Sequence, residues 1–244
     1  MRTIITIEAR MRSTRLPGKV LRPILGRPML ARMIERLRRV RFADGIVIAT
    51  TDHPADDEIV ALATELGVGC HRGSESDVLG RVLGAARAAG AELIVETTGD
   101  CPLIDPGVID QLIGTFHSNQ VDYCANVMTP SYPRGLDAQV FSTRVLAEVA
   151  ALTDDPADRE HVSLYIYEHP ERYRLLNVAS GLPREVSELR LTVDTAEDLD
   201  LVMRVYCELY PTNPAFVLSD ILALMEREPC LRAMNQHIRQ KTVR

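Results

Sequence analysis

Three short runs in the first hundred residues are apolar on both faces and rich in β-branched residues: "TIITIEA" (3–9), "GIVIATTD" (45–52) and "AELIVETTGD" (91–100). A strand of that kind must be covered on both sides, which an all-parallel arrangement with helices on each face provides. The intervening segments supply the helices. "PMLARMIERLRRV" places Met29, Leu30, Met33, Ile34, Leu37 and Val40 on one face at helical spacing, with Pro28 suited to the first turn. "ADDEIVALATELG" (55–67) predicts a second helix closing on Gly67, "VGCHRG" (68–73) a short strand, and "DVLGRVLGAARAAG" (77–90) a third helix. "PGVIDQLIGTFHS" (106–118) follows, with Asp105 as N-cap. This alternation predicts an α/β layered domain with a mostly parallel central sheet.

After Asn119 the rhythm loosens. "VDYCANV", "LDAQVFS" and "YRLLNVA" predict strands, with helices near 143–152 and 157–169. "ELRLTV" (188–193) then predicts a strand and 195–210 a helix, before a last helix over about 217–228. The expected organisation is a single domain over 1–228, with an insertion at about 119–180 that shapes a pocket, and a basic tail over 229–244.

With 244 residues the chain can bury a large core without disulfides. Cys70, Cys101, Cys124, Cys207 and Cys230 are odd in number and scattered, which predicts free thiols in a reducing cytoplasmic setting. No apolar run approaches a membrane span, so no membrane insertion is expected. A net charge of −6 excludes general nucleic-acid affinity, which needs a basic footprint.

Against that acidic background, "EARMRSTRLPGKVL" (8–21) concentrates positive charge just past the first strand. Ligands of open α/β sheets bind outside the carboxyl ends of the strands. Ser13, Thr14 and Gly18 let backbone N–H groups turn inward, while Arg10, Arg15 and Lys19 supply charge for an anion. A solvated basic loop is the plain alternative; neither a Walker A loop nor G-x-G-x-x-G is present. Asp100 and Asp194 are each the first acid past a predicted strand, and would share the rim with that loop. Taken singly, Asp100 reads equally as a turn residue and Asp194 as a helix N-cap, although Thr195 with Asp198 already forms a capping arrangement and leaves Asp194 free. Together the three features point to a polyphosphate with a hard divalent cation held by the two aspartates.

"ARMRSTRLPGKVL" followed by "GRPML" resembles the signature of the sugar-acid cytidylyltransferases, the CMP-KDO and CMP-sialic acid synthetases among them. "ATTDHPADDEIV", "HRGSESDVLGR", "TGDCPLIDP", "YPRGLDAQVF", "DREHVSLYIYEHPERYRLLN" and "LRLTVDTAEDLDLV" are similar to blocks of the spore coat polysaccharide branch, in its order, so the likeness spans roughly residues 3–206. It implies a nucleotide-diphosphosugar transferase fold with a dimerisation insertion, a homodimer, and transfer of a cytidylyl group from CTP to an acidic sugar for surface polysaccharide. By position, Arg10, Lys19 and Asp100 would be catalytic, and Ala9, Ser13, Thr14, Arg15, Arg72, Gly73 and Ser74 would join Arg10 and Lys19 around the nucleotide. Asp100 and Asp194 would hold Mg²⁺, and Arg134, Asp137, Gln139, Arg159, Glu160 and His161 would face the acceptor sugar. Two positions depart from the branch: Glu8 stands where Gln is usual and Arg12 where Gly is usual. The competing expectations are a protein that binds nucleotide without turnover and a nucleotidyltransferase for another base or acceptor.

Overall fold

The computed structural model describes residues 1–239. The chain runs β1 (Thr3–Glu8), a short hairpin β2 (Pro23–Ile24) and β3 (Arg27–Pro28), α1 (Met29–Leu37), β4 (Gly45–Thr51), α2 (Asp57–Leu66), β5 (Gly69–Gly73), α3 (Val78–Ala88), β6 (Leu93–Thr98) and α4 (Pro106–Ser118). It continues through β7 (Tyr123–Ala125), β8 (Gln139–Ser142), α5 (Thr143–Leu152), α6 (Pro156–Glu160), α7 (Leu164–Glu168), β9 (Leu175–Asn177), α8 (Arg184–Ser187), α9 (Ala196–Leu209), α10 (Leu218–Arg227) and α11 (Cys230–Ala233). The main sheet has the order β5-β4-β1-β6-β8-β7-β9, with β8 antiparallel to its neighbours and the other pairings parallel.

Alternation along β1 explains the two layers. Ile5 and Ile7 pack with α1, α2, α4, α9 and α10 on one face, whereas Ile4 packs with α3 and α5 on the other. The chain builds outward from β1 through β4 to β5, then returns over the opposite face by α3 to place β6 on the other side of β1. That reversal opens a crevice between the carboxyl ends of β1 and β6, where such sheets bind ligands.

The predicted strand over 188–193 does not form. The segment makes a single bridge, Arg134 to Arg190, and its other polar groups are taken by side chains and by Asp100 O. The predicted helix over 157–169 is two short helices, broken at Val162, whose φ of 30° is strained for a β-branched residue. The hairpin of β2 and β3 is an element that periodicity does not reveal, since two-residue strands carry no period. In the region read as a basic tail, Leu231 and Asn235 are buried; residues 240–244 of that expectation lie outside the described residues. Among the described residues no helix is long and apolar enough to cross a membrane.

Candidate active site

Past β1 the chain turns sharply, and a buried acid holds the turn. Met11 N donates to Asp56 Oδ1 at 2.7 Å, while Asp56 Oδ2 accepts from Thr51 N at the end of β4. Met11 O in turn accepts from Ser13 N and Gly18 N, at 3.0 and 2.8 Å, which closes the loop on itself. Gly18 takes φ +70°, a left-handed conformation that costs glycine little. A single 3₁₀ turn then aims Lys19 back into the crevice.

Lys19 is buried and its ammonium is fully engaged. Nζ donates to Asp100 Oδ2 at 2.9 Å, to Asp194 Oδ1 at 2.9 Å and to Val193 O at 2.7 Å. Burial alone would lower its pKa, but the charges of Asp100 and Asp194 outweigh burial and move it up. Asp194 shows the mirror image: burial favours its neutral form, yet Lys19, Arg190 and Arg15 together hold its pKa below the usual carboxylate value. Thr98 Oγ1 donates to Asp100 Oδ1 at 2.6 Å and fixes that carboxylate's rotation. Gly99 lets the two strand ends close up, because a Cβ there would lie 2.9 Å from Glu8 O.

Asp194 does not cap α9. Thr195 and Asp198 form the capping box, as expected, and Asp194 Oδ2 instead accepts from Arg15 Nη2 at 2.9 Å and Arg190 Nη2 at 2.7 Å. Arg190 is gripped from behind by Asp198, Nε to Oδ1 at 3.0 Å. Neither Arg190 nor Asp198 was among the expected site residues; the i, i+4, i+8 spacing of Arg190, Asp194 and Asp198 is the signal that would have found them.

The crevice is a cleft of about 340 Å³. Ala9, Arg10, Ser13, Thr14, Arg15, Lys19, Asp100 and Asp194 line it, and Glu160 and His161 form part of the opposite wall. Arg10 pairs with Glu75 at 3.4 Å, and so does Arg12 at 3.1 Å, which carries Arg12 outward rather than into the loop's turn. Ser74 lines an adjoining hollow with Arg10, Glu75 and Glu160. Other expected residues are not among those that line this cleft. Arg72 is committed to Thr51 O, His53 O and Asp57, and Gly73 ends β5 as the acceptor for Asp52 N. Arg134 borders a small cavity beside Arg190 and Asn235. Asp137 accepts from Gly135 N, and burial raises its pKa. Gln139 Oε1 accepts from Tyr123 and Ser163, while Arg159 pairs with Asp77 and Asp154. A larger hollow of about 600 Å³ opens at the amino ends of β4 and β5, away from all of this chemistry.

Among the described residues Glu8 meets no arginine in an ion pair; it meets another acid. It lines the cleft beside Glu96, and each carboxyl has one buried oxygen with no ordinary hydrogen-bond donor. A proton shared between the two satisfies both. Burial, the nearby Glu8 charge and its hydrogen bond raise Glu96 well above the carboxylate range, so Glu96 keeps the proton. Burial pushes Glu8 up to about 7, against the opposing pull of the Glu96 hydrogen bond and of Arg81 and Arg10.

Among the described residues no three His, Cys, Asp or Glu side chains converge as a metal cage. Asp100 and Asp194 do face one cation, the Lys19 ammonium, with hard oxygen atoms. That donor set fits a magnesium-like ion, which takes one or two carboxylates and completes its shell with phosphate and water.

Known proteins share this architecture. A family model described as cytidylyltransferase matches residues 4–240. The spore coat polysaccharide biosynthesis protein SpsF of Bacillus subtilis is 34% identical over 233 residues, covering 93% of this chain and 95% of that protein. The solved structure of a cytidylyltransferase from Leptospira borgpetersenii superposes with a TM-score of 0.90 at 31% identity, covering 99% of this chain and 100% of that one. A CMP-2-keto-3-deoxy-manno-octonic acid synthetase solved with CTP superposes with a TM-score of 0.63 at 20% identity, covering 85% of this chain and 99% of that one, and shows likeness of fold alone.

Proposed function

The chain belongs to the cytidylyltransferase family as a CTP-dependent nucleotidyltransferase, and from that premise we propose that it activates an acidic sugar, of nonulosonic type, to a CMP-sugar for surface polysaccharide. The observation that carries this reading is the cleft in which Arg10, Arg15 and Lys19 face Asp100 and Asp194 across the carboxyl ends of β1 and β6. The names of two similar proteins support the choice: one acts in spore coat polysaccharide synthesis, and the other is the 3-deoxy-manno-octulosonate cytidylyltransferase of Anaeromyxobacter dehalogenans, 31% identical over 179 residues, 67% of this chain and 72% of that protein.

In this reading a hydroxyl of the sugar attacks the α-phosphorus of CTP as the bond to the pyrophosphate oxygen breaks. Catalysis of that kind is mostly positioning and neutralisation of charge. Arg10 and Arg15 sit on the exposed side of the loop, and their ion pairs with Glu75 and Asp194 can be traded for phosphate oxygens. Lys19, the cation between Asp100 and Asp194, would neutralise charge on the triphosphate from the same rim. Asp100 and Asp194 would hold Mg²⁺, which supplies Lewis-acid polarisation of phosphate oxygens. Ala9, Ser13 and Thr14 offer backbone and hydroxyl groups to the nucleotide.

On the acceptor side, His161 and Glu160 face the cleft. Arg159 is the adjacent cation; its pairing with the fully exposed Asp154 is weak enough to yield to a sugar carboxylate. Arg72 and Gln139 are held by other contacts, Arg72 by Thr51 O, His53 O and Asp57 and Gln139 by Tyr123 and Ser163. The free thiols fit a cytoplasmic enzyme, and the β7-β8-β9 side of the sheet is the proposed homodimer surface. The test is pyrophosphate release from each of the four NTPs with Mg²⁺ against a panel of sugar acids and neutral sugar phosphates. CTP with an acid sugar is expected to be the productive pair; turnover with neutral sugars alone would refute the acceptor class.

A further inference from the structure

The Asp194 carboxylate is steered from a part of the chain that never enters the cleft. Asn235 lies past α11, is 2% exposed, and points its amide into the network behind Asp194. Its Nδ2 donates to Asp198 Oδ1 at 2.8 Å and to Arg190 O at 2.9 Å. Asp198, itself fully buried, also accepts from Arg190 Nε at 3.0 Å and, through Oδ2, from Asp194 N at 2.9 Å. Arg190 Nη2 then reaches Asp194 Oδ2 at 2.7 Å. The series runs without a gap from the C-terminal segment to the carboxylate beside Lys19.

We infer that Asn235 is a positioning residue for Asp194, acting through Asp198 and Arg190, so that the docked C-terminal segment sets the affinity of the site for a metal-nucleotide pair. The inference rests on the proposed role of Asp194 as a ligand. The physical reason is that one amide serves two acceptors at once. An Asp198 carboxylate is shared between Arg190, the start of α9 and Asn235, and loss of the amide leaves a buried charge short of a donor. The Arg190 fork is planar and rigid, so any rotation that compensates at Asp198 is passed to its other end at Asp194. The partners that orient ligands commonly govern metal affinity by about 10–100-fold.

Leu231 provides the control. It is 2% exposed in α11 of the same segment but contributes only apolar packing. Asn235→Ala and Leu231→Ala are compared by calorimetric titration of Mn²⁺ with CTP and by thermal melting, each also in an Asp194→Asn background. The expected result is a dissociation constant raised about tenfold by Asn235→Ala and by less than about twofold by Leu231→Ala, although both lower Tm. The Tm loss from Asn235→Ala should also shrink by at least half in the Asp194→Asn background, whereas that from Leu231→Ala should not. Equal effects of the two variants on affinity, with additive melting losses, would overturn the inference. A wild-type chain that takes up no Mn²⁺ with CTP would remove the ligand role of Asp194, while the melting cycle, run without ligand, still decides whether Asn235 and Asp194 are coupled.

Discussion

Two groups of charge stand side by side in one cleft and are solved in opposite ways. Around Lys19 every charge meets its complement: the ammonium lies between Asp100 and Asp194, and Asp194 lies between Lys19, Arg15 and Arg190. At Glu8 and Glu96 two like charges meet instead, and the conflict is relieved only by keeping a proton. The difference is instructive because the two groups sit on the same strands. β1 supplies Glu8 and leads to Lys19; β6 carries Glu96 and leads to Asp100. Residues past the strand ends have loop freedom to find counter-charges. Residues within the strands are held by register, and take whatever neighbour the sheet order brings.

The comparison breaks most sharply at the ligands. Asp100→Ala should lower pyrophosphate release by on the order of 10²–10³-fold, with the fold retained by circular dichroism; near-normal turnover would dismiss the ligand assignment. Next in size is Arg190→Met, which takes the paired guanidinium from the buried Asp198 and removes one of the three cations around Asp194. Removing one member of a buried ion pair costs roughly 3–5 kcal/mol, so a large fall in denaturation midpoint is expected. A midpoint within error of wild type would show that the compensated network is not compensated by Arg190.

The acid pair should respond with the opposite sign. Glu8 has a folded pKa raised from 4.5 to about 7, so the folded state binds more protons than the unfolded state between those values. Its ionisation therefore subtracts stability progressively as pH rises from about 4.5 to about 7, and fully above that. Glu8→Gln should stabilise the protein by roughly 1–3 kcal/mol at pH 8 and by little at pH 4.5. Chemical denaturation of both proteins across that range checks it; a gain that is largest at low pH would contradict the shared proton. The smallest effect belongs to Arg12→Ala. That side chain is more than half exposed and, among the described residues, paired only with Glu75, so stability should change by less than about 0.5 kcal/mol and turnover by less than about twofold.

How much of this was legible in advance differs between the same two groups. Lys19, Asp100 and Asp194 could be read as neighbours because each closely follows an apolar run, and parallel strands bring such positions to one edge. Glu8 could be recognised as out of place, but its partner could not: Glu96 is 88 residues away, and only the pairing of β1 with β6 makes them adjacent. Arg72 carries the right charge in the right block, yet its guanidinium is spent on Thr51 O, His53 O and Asp57. Residue type cannot announce that. "ELRLTV" had the composition of a strand and lacked a neighbour to pair with, so its backbone bonds went to side chains and loops.

The sequence by itself determined the layered α/β plan, the first four parallel strands and the basic loop between β1 and its helix. Those follow from hydrophobic period and turn chemistry, which act over a few residues at a time. The tertiary structure alone decided that Lys19 bridges two aspartates, that Glu8 shares a proton with Glu96, and that Asn235 backs the Asp194 network. Each of those depends on strand order and on segments that meet across tens of residues or more, where the identity of a neighbour is a property of the packed fold and of nothing local.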